Sequence, residues 1–185
     1  MGELARDDEI VAVFQTRGDA RALEPLVRRY TPMVRSMLYQ MVLNEADADD
    51  LTQDVFLRVM NGLGQFDGRA RFSTWLYRIV MNTAHTFLSR RGRCPVRPSD
   101  HLAALPDRNH PQPDQAAMAN ELDADIAAAL ASLPATLRAA IVLTAIHKLD
   151  GREVAKIERC SAAAVYWRVH KARKILRERL GQYLT

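Results

Sequence analysis

Two clusters of side chains have the types and spacing to do chemistry. Between Phe66 and His85, aromatics and arginines interleave: Phe66, Arg69, Arg71, Phe72, Trp75 and Arg78, followed by Asn82 and His85. Further on, Tyr166 and Trp167 stand directly before Arg168, His170, Lys171, Arg173 and Lys174. Cationic side chains neutralise phosphates, and aromatic faces stack unpaired bases. Side chains near the start of a helix can also reach base edges. Both clusters therefore suit a polyanion that carries bases. For any single charge the ordinary alternative is a solvated helix face, so the weight rests on the combination.

Catalysis has no comparable foothold. The patterns GxxxxGK[ST], HExxH and GxSxG are absent, and His85, His101, His110, His147 and His170 are scattered. His85 stands near Asn82 and could be imagined as a base, but no nucleophile accompanies it. Cys94 and Cys160 are far apart and outside any CxxC, which argues against a disulfide framework or a zinc cluster and for reduced thiols. The expectation is a protein that is not an enzyme, with no catalytic residue, metal, cofactor or small-molecule substrate.

Charge is unevenly distributed. Residues 1–93 carry 13 Lys and Arg against 12 Asp and Glu, residues 94–132 carry 2 against 6, and residues 133–185 carry 11 against 4. The basic charge sits in the C-terminal segment, behind an acidic middle, which again points to nucleic acid. A hydrophobic content of 48% suffices for ordinary cores. The most apolar stretch, Ala139 to Ile146, is far shorter than the roughly 20 residues that span a bilayer. The acidic N-terminal run is unlike a secretory signal, so a soluble, cytoplasmic protein without membrane insertion is expected.

The elements that must position the two clusters are helical nearly everywhere. The spacing predicts helices over Asp7 to Arg17, Ala20 to Val42 with a bend or break at Pro32, Ala46 to Leu63, and Ser73 to Arg91 with Ser73 as N-cap. Pro95, Pro98, Pro106, Pro111 and Pro113 mark an extended linker. Helical periodicity returns near Ala116, and Pro134 is expected in a first helical turn. Asp150 and Glu153 resemble a capping box for a short helix, Gly151 to Glu158, and Ser161 can cap a longer one reaching about Leu180. Stepping round that last helix puts Val165, Val169, Ala172 and Leu176 on one face. Tyr166, Trp167, His170, Lys171 and Lys174 take the opposite face, with Arg168 and Arg173 on the flanks. A short helix, a tight turn and a longer helix with a basic, aromatic face fit a major groove. A membrane-surface helix would place its aromatics opposite its charges; here they share a face. The fold class is all-α: two small helical domains, about 1–93 and 116–185, joined by a flexible linker at 94–115.

The run Asp47-Ala48-Asp49-Asp50-Leu51-Thr52-Gln53-Asp54-Val55-Phe56-Leu57-Arg58 resembles region 2 of extracytoplasmic-function (ECF, group IV) sigma factors of RNA polymerase. So do Phe66-Asp67-Gly68 and the run from Phe72-Ser73-Thr74-Trp75 to Asn82, while Leu133-Pro134 through Arg173 is similar to region 4. The likeness is nearest to the envelope-stress sigma-E type. It implies that residues 1–93 bind core polymerase and recognise and melt the −10 element, and that 116–185 recognise the −35 element. Asp50, Gln53, Asp54 and Leu57 would dock on the clamp helices of the largest polymerase subunit. Phe66, Arg71 and their loop, with Asn82, would take up a flipped base of the non-template strand, and Trp75 and Arg78 would open or hold that strand. Tyr166, Trp167, Arg168, His170, Lys171 and Arg173 fall where the family reads the −35 element. The acidic linker would thread towards the RNA exit path, and an anti-sigma factor would hold the protein inactive until a stress or other signal arrives.

The chain departs from the family pattern at the helix-turn-helix. Glu158 replaces an apolar residue, Arg159 replaces the usual turn glycine, and Ala163-Ala164-Val165 replaces Gly-Thr-Val ahead of Tyr166-Trp167. The −35 preference therefore does not carry over, and the turn has room for distortion. Two non-enzymatic alternatives stay open at this point: a stand-alone helix-turn-helix regulator that binds duplex DNA, and a module that sequesters another factor.

Overall fold

The computed structural model describes residues 2–93 and 125–181. Among these residues every regular element is helical, as the periodicity predicts. Helix α1 (Gly2–Arg17) stops at Gly18, which takes left-handed backbone (φ +67°) and donates its N–H to Phe14 O at 2.8 Å. A 3-10 turn, Ala20–Leu23, leads into α2 (Glu24–Val42). Pro32 lies inside α2, and the expected break there does not occur. The reason is burial. Val34, Met37, Leu38 and Met41 are fully enclosed, each contributing about 1.5–3 kcal/mol, which outweighs the ~3 kcal/mol that an interior proline costs.

Leu43 ends α2 in a left-handed conformation, and Asn44 caps α3 (Glu45–Gly62) by accepting from Asp47 N at 2.9 Å. Gly62 does not end the helix as a left-handed cap; a 3-10 turn, Leu63–Gln65, follows directly. Gly62 instead admits a neighbour, since a Cβ there would stand 3.3 Å from Trp75 Cζ2. Helix α4 (Phe72–Arg93) begins one residue ahead of Ser73, so Ser73 lies in its first turn and is not the N-cap. Leu76, Val80, Met81 and Ala84 face inward from α4 and meet Leu51, Val55 and Val59 of α3 and the buried stripe of α2.

The second lobe contains α5 (residues 125–131), α6 (Ala135–Ile141), a π-helical turn (Val142–Ile146), α7 (Gly151–Glu158) and α8 (Ala162–Leu180). Pro134 sits at the N-cap of α6, one position earlier than expected. The expected linker 94–115, Cys94 and the helical onset near Ala116 lie outside the described residues. Leu137, Ile141 and Leu143 form the core here with Val154, Ile157, Val165 and Ala172.

The lobes pack together, α4 against α7 and α2 against α6 with its π turn. Arg138 is the buried joint. It donates to Met41 O (2.5 Å) in the last turn of α2, to Ala131 O (3.0 Å) at the end of α5, and to Leu133 O (3.2 Å) in the turn that follows. Burial lowers its pKa, but an arginine stays charged at any working pH. His147 Nε2 meets Gln40 Oε1 at 3.1 Å across the same junction, and burial lowers its pKa, favouring the neutral ring.

Candidate nucleic-acid interface

The loop between α3 and α4 is folded by its own residues. Asp67 Oδ1 accepts from Arg69 N at 3.1 Å, and Gly68 supplies the positive φ (+68°) that the reversal needs. Phe66 is half-buried on Trp75 and Phe72, with centroids 5.4 and 6.3 Å away. Phe72 is fully enclosed and edge-on to Tyr30, so it belongs to the core and cannot stack a base. That corrects its place among the interleaved aromatics. Trp75 is also wedged, against Phe66, Phe72 and the bare face of Gly62. Across the loop stands α1, and the two enclose a cleft of about 560 Å³ lined by Asp8, Val11, Ala12, Gln15 and residues 66–71. Phe66 and Arg71 line this cleft; Trp75, Arg78 and Asn82 do not. Asn82 is exposed two helical turns beyond Trp75, about 10 Å along the axis of α4.

The polar face of α4 has a second occupant. Arg78 Nε donates to Lys156 O at 2.9 Å, and His85 Nε2 lies 3.3 Å from both carboxylate oxygens of Glu158. Glu158 is also 3.5 Å from Arg168 Nη1, and its side chain is only 6% exposed. Glu158, one of the residues that depart from the family pattern, thus joins the two lobes. Arg168, expected on the outer flank of α8, is turned towards this carboxylate.

On α7 and α8 the helix-turn-helix forms with the expected boundaries. Asp150 caps α7 through Arg152 N (3.1 Å) and Ser161 caps α8 through Ala164 N (3.1 Å). Arg159 adopts the left-handed cap itself (φ 51°), and Cys160 N reaches Ala155 O at 3.0 Å, so the turn closes without glycine. Val165, Val169 and Ala172 are buried, while Tyr166 (59% exposed) and Trp167 (58%) stand outward beside exposed His170, Lys171 and Arg173. Lys171 Nζ lies 4.9 Å from the Trp167 ring centroid, a cation–π pair. The Tyr166 ring lies over Gly151, where a Cβ would come within 3.0 Å of it.

Helix α3 carries a third surface. Asp50, Gln53, Asp54 and Leu57 recur at i, i+3, i+4 and i+7 and are all exposed, Leu57 by 52%. The acidic neighbours are engaged elsewhere: Asp49 is held by Arg35 Nε at 2.5 Å and Asp47 by Arg91 at 2.7 Å. Sequence reasoning missed Gln15, whose partners are 48 and 51 residues away. It also missed the joint at Arg138, because neither residue belongs to a recognisable local pattern.

Comparison with known proteins matches this layout. The sequence model of Sigma-70 region 2 matches residues 26–94 and that of Sigma-70 region 4 matches residues 123–176. The RNA polymerase sigma-H factor of Pseudomonas aeruginosa is 30% identical over 97% of this chain and 96% of its own. The ECF RNA polymerase sigma-E factor of Escherichia coli K12 is 32% identical over 95% of each. Among solved structures, CnrH in complex with the cytosolic domain of CnrY superposes with a TM-score of 0.72 at 27% identity, covering 96% of this chain and 98% of that one. The chain belongs to the extracytoplasmic-function sigma factors of RNA polymerase. Sigma factors are transcription initiation factors rather than enzymes, and this reading is favoured over a stand-alone regulator. Among the described residues, no helix is long and apolar enough to cross a membrane.

Proposed function

We propose that this sigma factor divides its work among three surfaces, in the cytoplasm and in response to a stress or other signal. Residues 1–93 form the polymerase-binding and −10 unit, 94–115 the linker and 116–185 the −35 unit. The stripe Asp50, Gln53, Asp54 and Leu57 docks on the clamp helices of the largest polymerase subunit, its half-exposed leucine giving an acidic patch an apolar anchor. The cleft beside Phe66 and Arg71 receives an unstacked −10 base; Asn82, expected to share in that uptake, does not line the cleft, so we place it with Trp75 and Arg78 on the melted strand. Tyr166, Trp167, His170, Lys171 and Arg173 face the −35 major groove, with Arg168 beside them. The observation that carries this reading is the outward face of α8, where two large aromatics stay exposed among cations.

In this reading Arg78 must leave Lys156 O before it can hold DNA, so the lobes separate when promoter is bound. A protein partner that holds them together fits the family resemblance, and CnrH, a similar structure, was solved with the cytosolic domain of CnrY bound. We therefore assign this chain an anti-sigma factor.

The test is run-off transcription with core polymerase on a pool of promoter fragments. Asn82→Ala is the cleaner probe, because Asn82 is exposed whereas Trp75 also packs. Specific initiation that falls roughly tenfold or more in Asn82→Ala supports the reading. Specific duplex binding without polymerase, and no initiation with it, would replace it with the stand-alone regulator.

A further inference from the structure

Helix α1 precedes the stretch that matches Sigma-70 region 2, residues 26–94, yet it forms one wall of the cleft at the α3–α4 loop. Asp8, Val11, Ala12 and Gln15 follow helical spacing and share the face turned to that loop. Gln15 makes the connection. Its Nε2 donates to Leu63 O at 3.0 Å and to Phe66 O at 2.8 Å, so each amide hydrogen holds one carbonyl. The two carbonyls bracket the 3-10 turn Leu63–Gln65, and the second belongs to the residue whose ring opens the cleft.

The support behind Gln15 is a buried one. Asp7, almost fully buried, is bound by Arg29 and by Tyr30 OH (2.6 Å), which ties α1 to α2. Gly18 N–H on Phe14 O closes the helix three residues past Gln15. Gln15 itself is exposed, so the core does not require it; its polarity is used on the loop. A loop that must accept an unstacked base gains from being ordered beforehand, since ordering it during binding would draw on the same binding free energy.

We infer that Gln15 is a positioning residue for −10 recognition. By clamping the Leu63 and Phe66 carbonyls it sets the loop that presents Phe66 and Arg71, with α1 as the facing wall. The inference rests on the reading above that this loop takes up the base.

The full-length protein with core polymerase is assayed by run-off transcription on promoters that differ only at single −10 bases. Gln15→Met keeps the length and removes the donor, Gln15→Glu offers only acceptors to two carbonyls, and Gln15→Lys keeps a long donor. Loss of two hydrogen bonds should lower discrimination between the best and next-best −10 base about tenfold in Gln15→Met. Gln15→Glu should lose at least as much, and Gln15→Lys should recover most of the discrimination. Preference at −35 and affinity for core polymerase should stay at the wild-type level in all three. Wild-type −10 discrimination in Gln15→Met, or no recovery in Gln15→Lys, overturns the inference. Phe66→Ala separates the two levels. If it abolishes discrimination while Gln15→Met does not, only the positioning role fails; if Phe66→Ala also leaves discrimination intact, the loop does not read the base at all.

Discussion

Arg159 shows how a local rule can be broken at modest cost. The turn between α7 and α8 needs a left-handed residue so that the chain can reverse within three positions, and glycine meets that need without a Cβ clash. Arginine adopts the same conformation here (φ 51°) because the cap bonds to Ala155 O and the packing of Val154, Ile157 and Val165 hold it there. The strain costs about 1 kcal/mol for a non-glycine residue. Arg159→Gly should therefore raise stability by roughly that amount, partly offset by the extra freedom glycine brings to the unfolded chain. Chemical denaturation of both proteins measures it. Equal or lower stability of the variant would mean that the arginine side chain returns what its backbone loses.

At the scale of elements, α1 is tied to the bundle by a buried acid, beside the core residue Val11 and the Gln15 bonds to the loop. Asp7 is fixed between Arg29 and Tyr30, and burial, followed by the hydrogen bond to Asp7, pushes the Tyr30 hydroxyl well above the usual tyrosine range. Removing one partner of a buried pair costs about 3 kcal/mol or more, but Arg29 is 31% exposed and can turn to water. The expected loss for Asp7→Ala is nearer 2 kcal/mol. It should appear first as faster amide exchange along α1, with α2, α3 and α4 still protected, since their shared core does not include Asp7. Uniform loss of protection across all four helices would contradict this view of α1 as a separately anchored element.

The arrangement of the whole molecule turns on the α4–α7 contact. Glu158 engages His85 on α4 and Arg168 on α8, while Arg78 crosses to Lys156 O. Glu158→Ala and Arg78→Ala should each shift the balance towards separated lobes by about tenfold, the scale of one charge-assisted hydrogen bond. Energy transfer between dyes placed on α3 and α8 reads the separation directly. Transfer unchanged in both variants would place the holding force instead at Arg138 and its carbonyls on the other side of the junction.

Most helices and the outward face of α8 are legible in the sequence. The buried Val165–Val169–Ala172 side of α8 lies where helical spacing puts it, and the α3 stripe at 50, 53, 54 and 57, which the family resemblance singles out, is exposed. The caps at Asp150 and Ser161 also lie where expected, because each depends on residues within a turn or two. That Phe72 is core and not a stacking platform, and that Pro32 lies within a continuous helix, emerges only from packing. Packing also sets the partners of Gln15, Arg138 and Glu158. These outcomes are contests between a local preference and the burial or pairing of groups dozens of residues apart. Such contests are settled only when packing brings the groups together, and no local pattern records which of them wins.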